Sequence, residues 1–301
     1  MKYINFVLFL NLTSYLVSDQ PVLIFTYSYN RPEFIELQHK SFKKFLKDDY
    51  RFIVFSDANT TENQTAIANT CNRLGIEFIQ IPQIIHDLPY LPRYEHEPSF
   101  HYPTIRCVNG IQYSLNKVGF FHKGPVLILD SDMFLIRDLS LKSLLQKYDI
   151  VAGFQAYENN GVKIKYVSVN FVLLNMNILP NKETFNVNTG IIKGVKTDAG
   201  GQTYWYFKNN PKVRVLEIHH NIICRKPNAG CLYPTYDNLK NHNFSEKEIE
   251  YLSNPINDGV EISLSQTFLH YRSGSNWDGK DQSFHQRKFQ VLKEFIDSIS
   301  S

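Results

Sequence analysis

Asp130 and Asp132 stand one residue apart behind Val126-Leu127-Ile128-Leu129, in the stretch VLILDSDMFLIRDLS (126–140), with no basic residue beside them before Arg137. Two carboxylates this close repel each other unless a cation or an exposed edge relieves them. Oxygen donors of this kind suit Mg2+ or Mn2+, ions that take one or two protein carboxylates and complete their shells with water and substrate phosphates. A cation held there would serve as a Lewis acid towards a leaving diphosphate. An Asp-x-Asp triplet by itself is common, and two solvated loop aspartates are the plainer alternative. What favours chemistry is its place behind an unalternating aliphatic run.

No rival constellation competes. His96 and His101 have the wrong spacing for a helical zinc pair, and Pro98 interrupts them. His219 and His220 are adjacent, so in an extended strand they point to opposite faces. The chain has no G-x-S-x-G and no P-loop. Its four cysteines show no CxxC spacing, which argues against zinc held by cysteine alone. Cys224 and Cys231 frame the short segment CRKPNAGC, closed as a disulfide in an oxidising compartment or left as two isolated thiols.

The elements that must position the two aspartates follow an α/β rhythm. Residues 21–26 read as a first strand, and NRPEF opens a helix, with Asn30 as cap, Pro32 in the first turn and Glu33 at the positive end. Phe34, Ile35, Leu37, Phe42, Phe45 and Leu46 give that helix an apolar stripe through Lys47. A strand at 51–57, a helix at 61–75 and a strand at 76–81 come next. A loop rich in Pro, His and Glu (82–103) then leads to a helix over 104–118 and the strand at 126–129. Beyond residue 140 the pattern mixes: strands at 149–154, 170–176 and 213–218, a helix at 200–210 ended by Pro211, and an amphipathic helix over 283–299. Alternation of this kind predicts an α/β fold with a mixed, mainly parallel sheet flanked by helices. The aspartates then fall past the C-terminal edge of a central strand, where open α/β sheets place ligands.

The 301 residues, 43% hydrophobic and 20% charged, suffice for one large domain, and no linker divides residues 20–301. A net charge of +3, without a long basic run, argues against nucleic acid as a partner. Residues 1–19, with Lys2 before a mostly apolar stretch to Val17, read as a signal peptide or short signal-anchor. Residence in the secretory pathway or periplasm, and association with a membrane through the N-terminus, rest on that leader; without it the chain is cytoplasmic.

Taken together, TYSYNRPEF after the first strand, VFSDA ending the second, a helix carrying Arg106 and then LILDSDMFLI resemble nucleotide-sugar-dependent glycosyltransferases of the GT-A fold. The resemblance implies a metal-dependent transfer of a sugar from a nucleotide-sugar donor, a UDP-sugar foremost, to the hydroxyl of a glycan, lipid or protein acceptor. It implies that Asp130 faces the ribose or metal and that Asp132 is the firmer ligand of Mn2+ (or Mg2+), with Ser131 among the donor contacts. Thr26, Tyr27 and Asn30 match positions lining the nucleoside pocket, Asp57 a residue bonded to the base, and Arg106 a helix residue reaching the donor.

Some likeness to retaining, galactosyltransferase-like members appears in VNFVLLNMNIL (169–179), where Phe171 stands near an expected glycine, and in TDAGGQTYWYF (197–207), which offers Asp198 and Gln202 to the donor sugar. In FLHYRSGSNWDGK (268–280), His270 matches the third metal ligand of those relatives; Asn276 stands where they carry a phosphate-binding lysine, leaving Arg272 or Lys280 for that charge. An inverting enzyme would also need a carboxylate base, for which Asp198 is the candidate. The rivals are a nucleotidyltransferase, opposed by the lack of glycine in TYSYNRPEF, and a catalytically silent sugar-nucleotide-binding protein.

Overall fold

The computed structural model describes residues 19–87, 102–159, 161–226, 231–272, 274, 277 and 280–300. Residues 1–18 of the expected leader, much of the 82–103 loop with His96 and His101, and Asn276 lie outside the described residues. Among the described residues no helix is long and apolar enough to cross a membrane.

The first half alternates as expected: β1 (Val22–Ser28), α1 (Pro32–Phe45), β2 (Tyr50–Ser56), α2 (Thr61–Leu74), β3 (Glu77–Gln80), α3 (Ile84–Asp87), α4 (Tyr102–Lys117) and β4 (Pro125–Leu129). Helix α2 shows the local logic plainly. Thr60 accepts a hydrogen bond from Asn63 N–H at its start, and Gly75 closes it in the left-handed region at φ 68°. Helix α1 departs from expectation at both ends. Arg31, not Asn30, occupies the capping position and makes no side-chain cap bond. The helix stops at Phe45 rather than Lys47 because Leu46 turns extended and Lys47 N–H donates to Leu139 O (2.9 Å). The 82–103 region is not wholly loop, since α3 lies within it.

After β4 come β5 (Met133–Leu135), α5 (Leu141–Leu144), β6 (Ile150–Asn159), β7 (Val162–Asn175), β8 (Gly190–Ile192), β9 (Val195–Thr197), α6 (Thr203–Asn209) and β10 (Val215–Ile218). The chain ends through β11 (His220–Ile223), β12 (Cys231–Leu232), α7 (Tyr236–Asn241), α8 (Glu246–Ser253), β13 (Glu261–Ser263), β14 (Phe268–His270) and α9 (Gln282–Ser300). Among the described residues a seven-stranded sheet has the order β10-β6-β7-β4-β1-β2-β3. All its pairs are parallel except those of β7, which runs antiparallel to β4 and β6.

Strand β4 is central, and this explains its composition. Leu127 and Leu129 pack on one face with Ile24 and Val54, while Val126 and Ile128 pack on the other with Phe25 and Phe55. A strand covered on both sides has no polar face to alternate. Strand β7 is longer than the expected 170–176, and it carries an irregularity. Its pairing with β6 jumps from Ala152–Val172 to Gly153–Ser168, a bulge, while on its other side Asn170 O carries the β4–β7 register one step further by accepting from Asp130 N–H (2.9 Å).

A second sheet, ordered β12-β11-β13-β14-β5, lies beside the first. Its core gathers Phe34, Phe134, Ile262, Leu269 and Tyr271 with Leu292 and Ile296 of α9. The disulfide between Cys224 and Cys231 spans the start of this sheet.

Candidate active site

The Asp130-Ser131-Asp132 turn links the two sheets. It closes with Met133 N–H on Asp130 O (3.2 Å), and from α1 the Gln38 amide donates to both Asp130 O (2.8 Å) and Met133 O (3.0 Å). Strand β5 then pairs antiparallel with β14, placing His270 opposite Met133, and Tyr271 N–H donates to Asp132 O (2.9 Å). This register delivers a histidine from 138 residues down the chain to the aspartates: Nε2 of His270 lies 3.3 Å from Asp132 Oδ1 and 3.9 Å from Asp130 Oδ2. Gly274 completes the hold by donating its N–H to Asp132 Oδ2 (2.7 Å). A side-chain carbon at position 274 would sit 2.8 Å from Asp132 Cβ and 2.9 Å from the Tyr271 ring, so the approach requires glycine.

The two carboxylates are unequal. Burial and the neighbouring Asp132 push Asp130 up to about 6, although its side chain is 34% exposed. Burial works to raise Asp132 as well, but His270 and the Gly274 N–H outweigh it and hold that carboxyl below its usual range. Burial would lower His270; the charge and hydrogen bond of Asp132, then Glu261 and Asp130, raise it to about 10.

The carboxylate oxygens and the imidazole nitrogen all lie within 4.8 Å of one another. Octahedral ligands about 2.1 Å from a metal stand about 3 to 4.2 Å apart, a span that includes both His270 separations. The donors therefore fit a divalent cation, which would relieve the repulsion that burdens Asp130. Two oxygens with one imidazole suit Mn2+ better than Mg2+.

The remaining sequence candidates fall around this centre in different ways. Ser131 is buried in the turn itself. Thr26, at the end of β1 opposite Leu129, is buried with no hydrogen-bond partner for its Oγ1 among the described residues. Tyr27 shares a 2.6 Å hydrogen bond with Ser114 and stacks on Phe55, so it forms wall more than handle. Asn30 lies in the turn between β1 and α1. Asp57 and Arg106 meet each other: the guanidinium donates to Asp57 Oδ2 (3.1 Å) and to its backbone oxygen (2.6 Å), and His86 Nε2 lies 2.6 Å from the same carboxylate. Burial drives the Cys107 thiol well up, and the charges of Asp130, Asp57 and Asp198 drive it further.

Asp198 is exposed; its Oδ1 accepts from Ala199 N–H (2.8 Å), and its own N–H donates to Tyr166 OH (2.9 Å). Gln202 sits under Gly190, with Nε2 3.4 Å from Thr189 O. Arg272 has a positive φ of 63° and places Nε 3.3 Å from Glu261.

Three contributors escape the sequence reading. Gln38 looks like one polar residue in an amphipathic helix. Glu261 stands alone in a segment without periodicity. Lys288 is only 5% exposed, donates to Tyr271 O (2.9 Å), and is lowered to about 8 by burial, against the pull of Asp132. Its signal was available: with His285, Leu292 and Ile296 it shares the apolar stripe of α9, where a lysine is out of place.

No family model matches the chain, and no curated protein matches it. Among solved structures it is similar to the galactosyltransferase LgtC in complex with donor and acceptor sugar analogues, at 13% identity over 91% of this chain and 95% of that one, with a TM-score of 0.45. It is similar to the bifunctional glycosyltransferase WbbM at 11% identity over 92% of this chain, with a TM-score of 0.47, and there it spans 52% of the longer protein. A third is the mannosyltransferase PcManGT from Pyrobaculum calidifontis in complex with GDP-Man and Mn2+, at 11% identity over 65% of this chain and 54% of that one, with a TM-score of 0.39.

Proposed function

We propose that the chain is a metal-dependent glycosyltransferase that moves a sugar from a nucleotide-sugar donor to an acceptor hydroxyl. The observation that carries the reading is the meeting of Asp130, Asp132 and His270, drawn from two distant segments, with ligand atoms within 4.8 Å at the end of the central strand. Asp130, Asp132 and His270 would hold Mn2+, which when bound supplies positive charge to a departing nucleoside diphosphate. Thr26 in β1, Asn30 and Asp57 on the exit loops of β1 and β2, and Arg106 on α4 would form the wall against which the nucleoside lies. Gly274 and Gln38 keep the Asp130-Ser131-Asp132 turn in place while the donor exchanges. Asp198 has an exposed carboxylate and would accept the acceptor's proton if transfer inverts the sugar carbon. UDP-sugars head the donors to test. The Cys224–Cys231 disulfide supports residence in an oxidising compartment such as the secretory pathway or periplasm.

The test is a screen of nucleotide sugars for Mn2+-dependent hydrolysis and transfer. Release of nucleoside diphosphate that stops with chelator and falls at least about 100-fold in Asp132→Ala is the expected result. Tight donor binding without turnover would instead favour a silent sugar-nucleotide-binding protein, and pyrophosphate release from nucleoside triphosphates would favour a nucleotidyltransferase.

A further inference from the structure

Glu261 lies outside the trio of candidate ligands, yet it is in contact with one of them. It is on β13, directly across from His270 on β14, so both side chains leave the same face of the second sheet. Glu261 Oε2 is 2.9 Å from His270 Nδ1, and Nε2 of the same ring is the nitrogen that faces Asp132 and Asp130. The carboxylate is itself confined: Arg272 Nε lies 3.3 Å from Oε1, His220 Nδ1 lies 4.0 Å from Oε2, and the side chain is 13% exposed.

An ionised carboxylate can only accept, so Nδ1 must carry a hydrogen. In the neutral ring Nε2 is then the lone-pair nitrogen, aimed between the two aspartates. We infer that Glu261 is a positioning residue that fixes the tautomer and ring orientation of His270 so that Nε2 is offered to a divalent cation. The inference rests on the metal-site reading above. Glu261 acts through its hydrogen bond and not by ligation. Partners of this outer kind change metal affinity by about 10- to 100-fold.

The experiment titrates Mn2+ into the metal-free full chain without donor, reading free Mn2+ by electron paramagnetic resonance, for wild type and for Glu261→Ala, Glu261→Gln and Glu261→Asp. Melting in chelator verifies that each variant folds. Glu261→Ala is expected to weaken Mn2+ binding about 10- to 100-fold. Glu261→Gln, which keeps an acceptor oxygen at the same reach, restores most of it. Glu261→Asp keeps the charge but withdraws it by one methylene, and does not restore it; should Glu261→Ala fail to fold, the contrast between Gln and Asp carries the same test. Unchanged binding in Glu261→Ala overturns the inference while leaving the metal site intact, and restoration by Asp but not Gln overturns it in favour of simple charge. A wild type that binds no Mn2+ overturns the metal-site reading itself, and this inference with it.

Discussion

The ion pair between His270 and Asp132 links stability to pH. In the unfolded chain His270 titrates near 6.5, whereas in the folded protein it holds its proton to about 10. The folded state therefore binds more protons across that window, and stability from this pair is full below 6.5 and lost as pH rises towards 10. Asp130, raised to about 6, acts in the same direction between its ordinary value and 6. The expected outcome, measured as melting temperature in chelator, is that wild type exceeds His270→Gln most at pH 6 and that the gap narrows steadily to pH 9. A gap that widens with pH contradicts the pairing. Gly274 offers a steric test at the same scale. Gly274→Ala forces a methyl against Asp132 and the Tyr271 ring, with an expected cost of about 1–3 kcal/mol in chemical denaturation, together with weakened Mn2+ binding.

At the scale of elements, the site is a join between the end of β4, the short β5 and the β13–β14 pair, braced by α1. Gln38 is the brace: fully buried, its amide serves two carbonyls of the turn. Gln38→Leu keeps the volume but leaves Asp130 O and Met133 O with fewer donors, so a loss of about 1–3 kcal/mol is expected in urea unfolding, with no change in the disulfide. The first half of this architecture was legible in the sequence because its strands are long enough, and buried enough, to show as aliphatic runs between capped amphipathic helices. The Asp130-Ser131-Asp132 turn was legible as a candidate because it follows an aliphatic run, whereas His270 came into view only through the resemblance to GT-A glycosyltransferases. What could not be read were β5, β13 and β14, three residues each, too short to show a period. Glu261 stayed hidden with them, since only the β13–β14 register gives it a role. The Asn30 cap failed because tertiary contacts order that turn: the Arg31 guanidinium lies 3.5 Å over the Trp277 ring.

For the whole molecule, two sheets share one seam, and the candidate ligands sit on it. The larger sheet supplies the central strand and the exit loops of β1 and β2; the smaller supplies His270, Glu261 and the approach of Gly274. Neither sheet alone makes the site, which is why the aspartates could be suspected from one short stretch while their partners came from the far end of the chain. The most direct test of a metal site at this seam is crystallographic: soak crystals of the full chain with Mn2+ and a UDP-sugar and collect anomalous data at the manganese edge. One strong anomalous peak bonded to Asp130, Asp132 and His270 is expected, with the donor's diphosphate oxygens on its open side. Donor density without a peak at those three residues, or a peak held elsewhere, would contradict it.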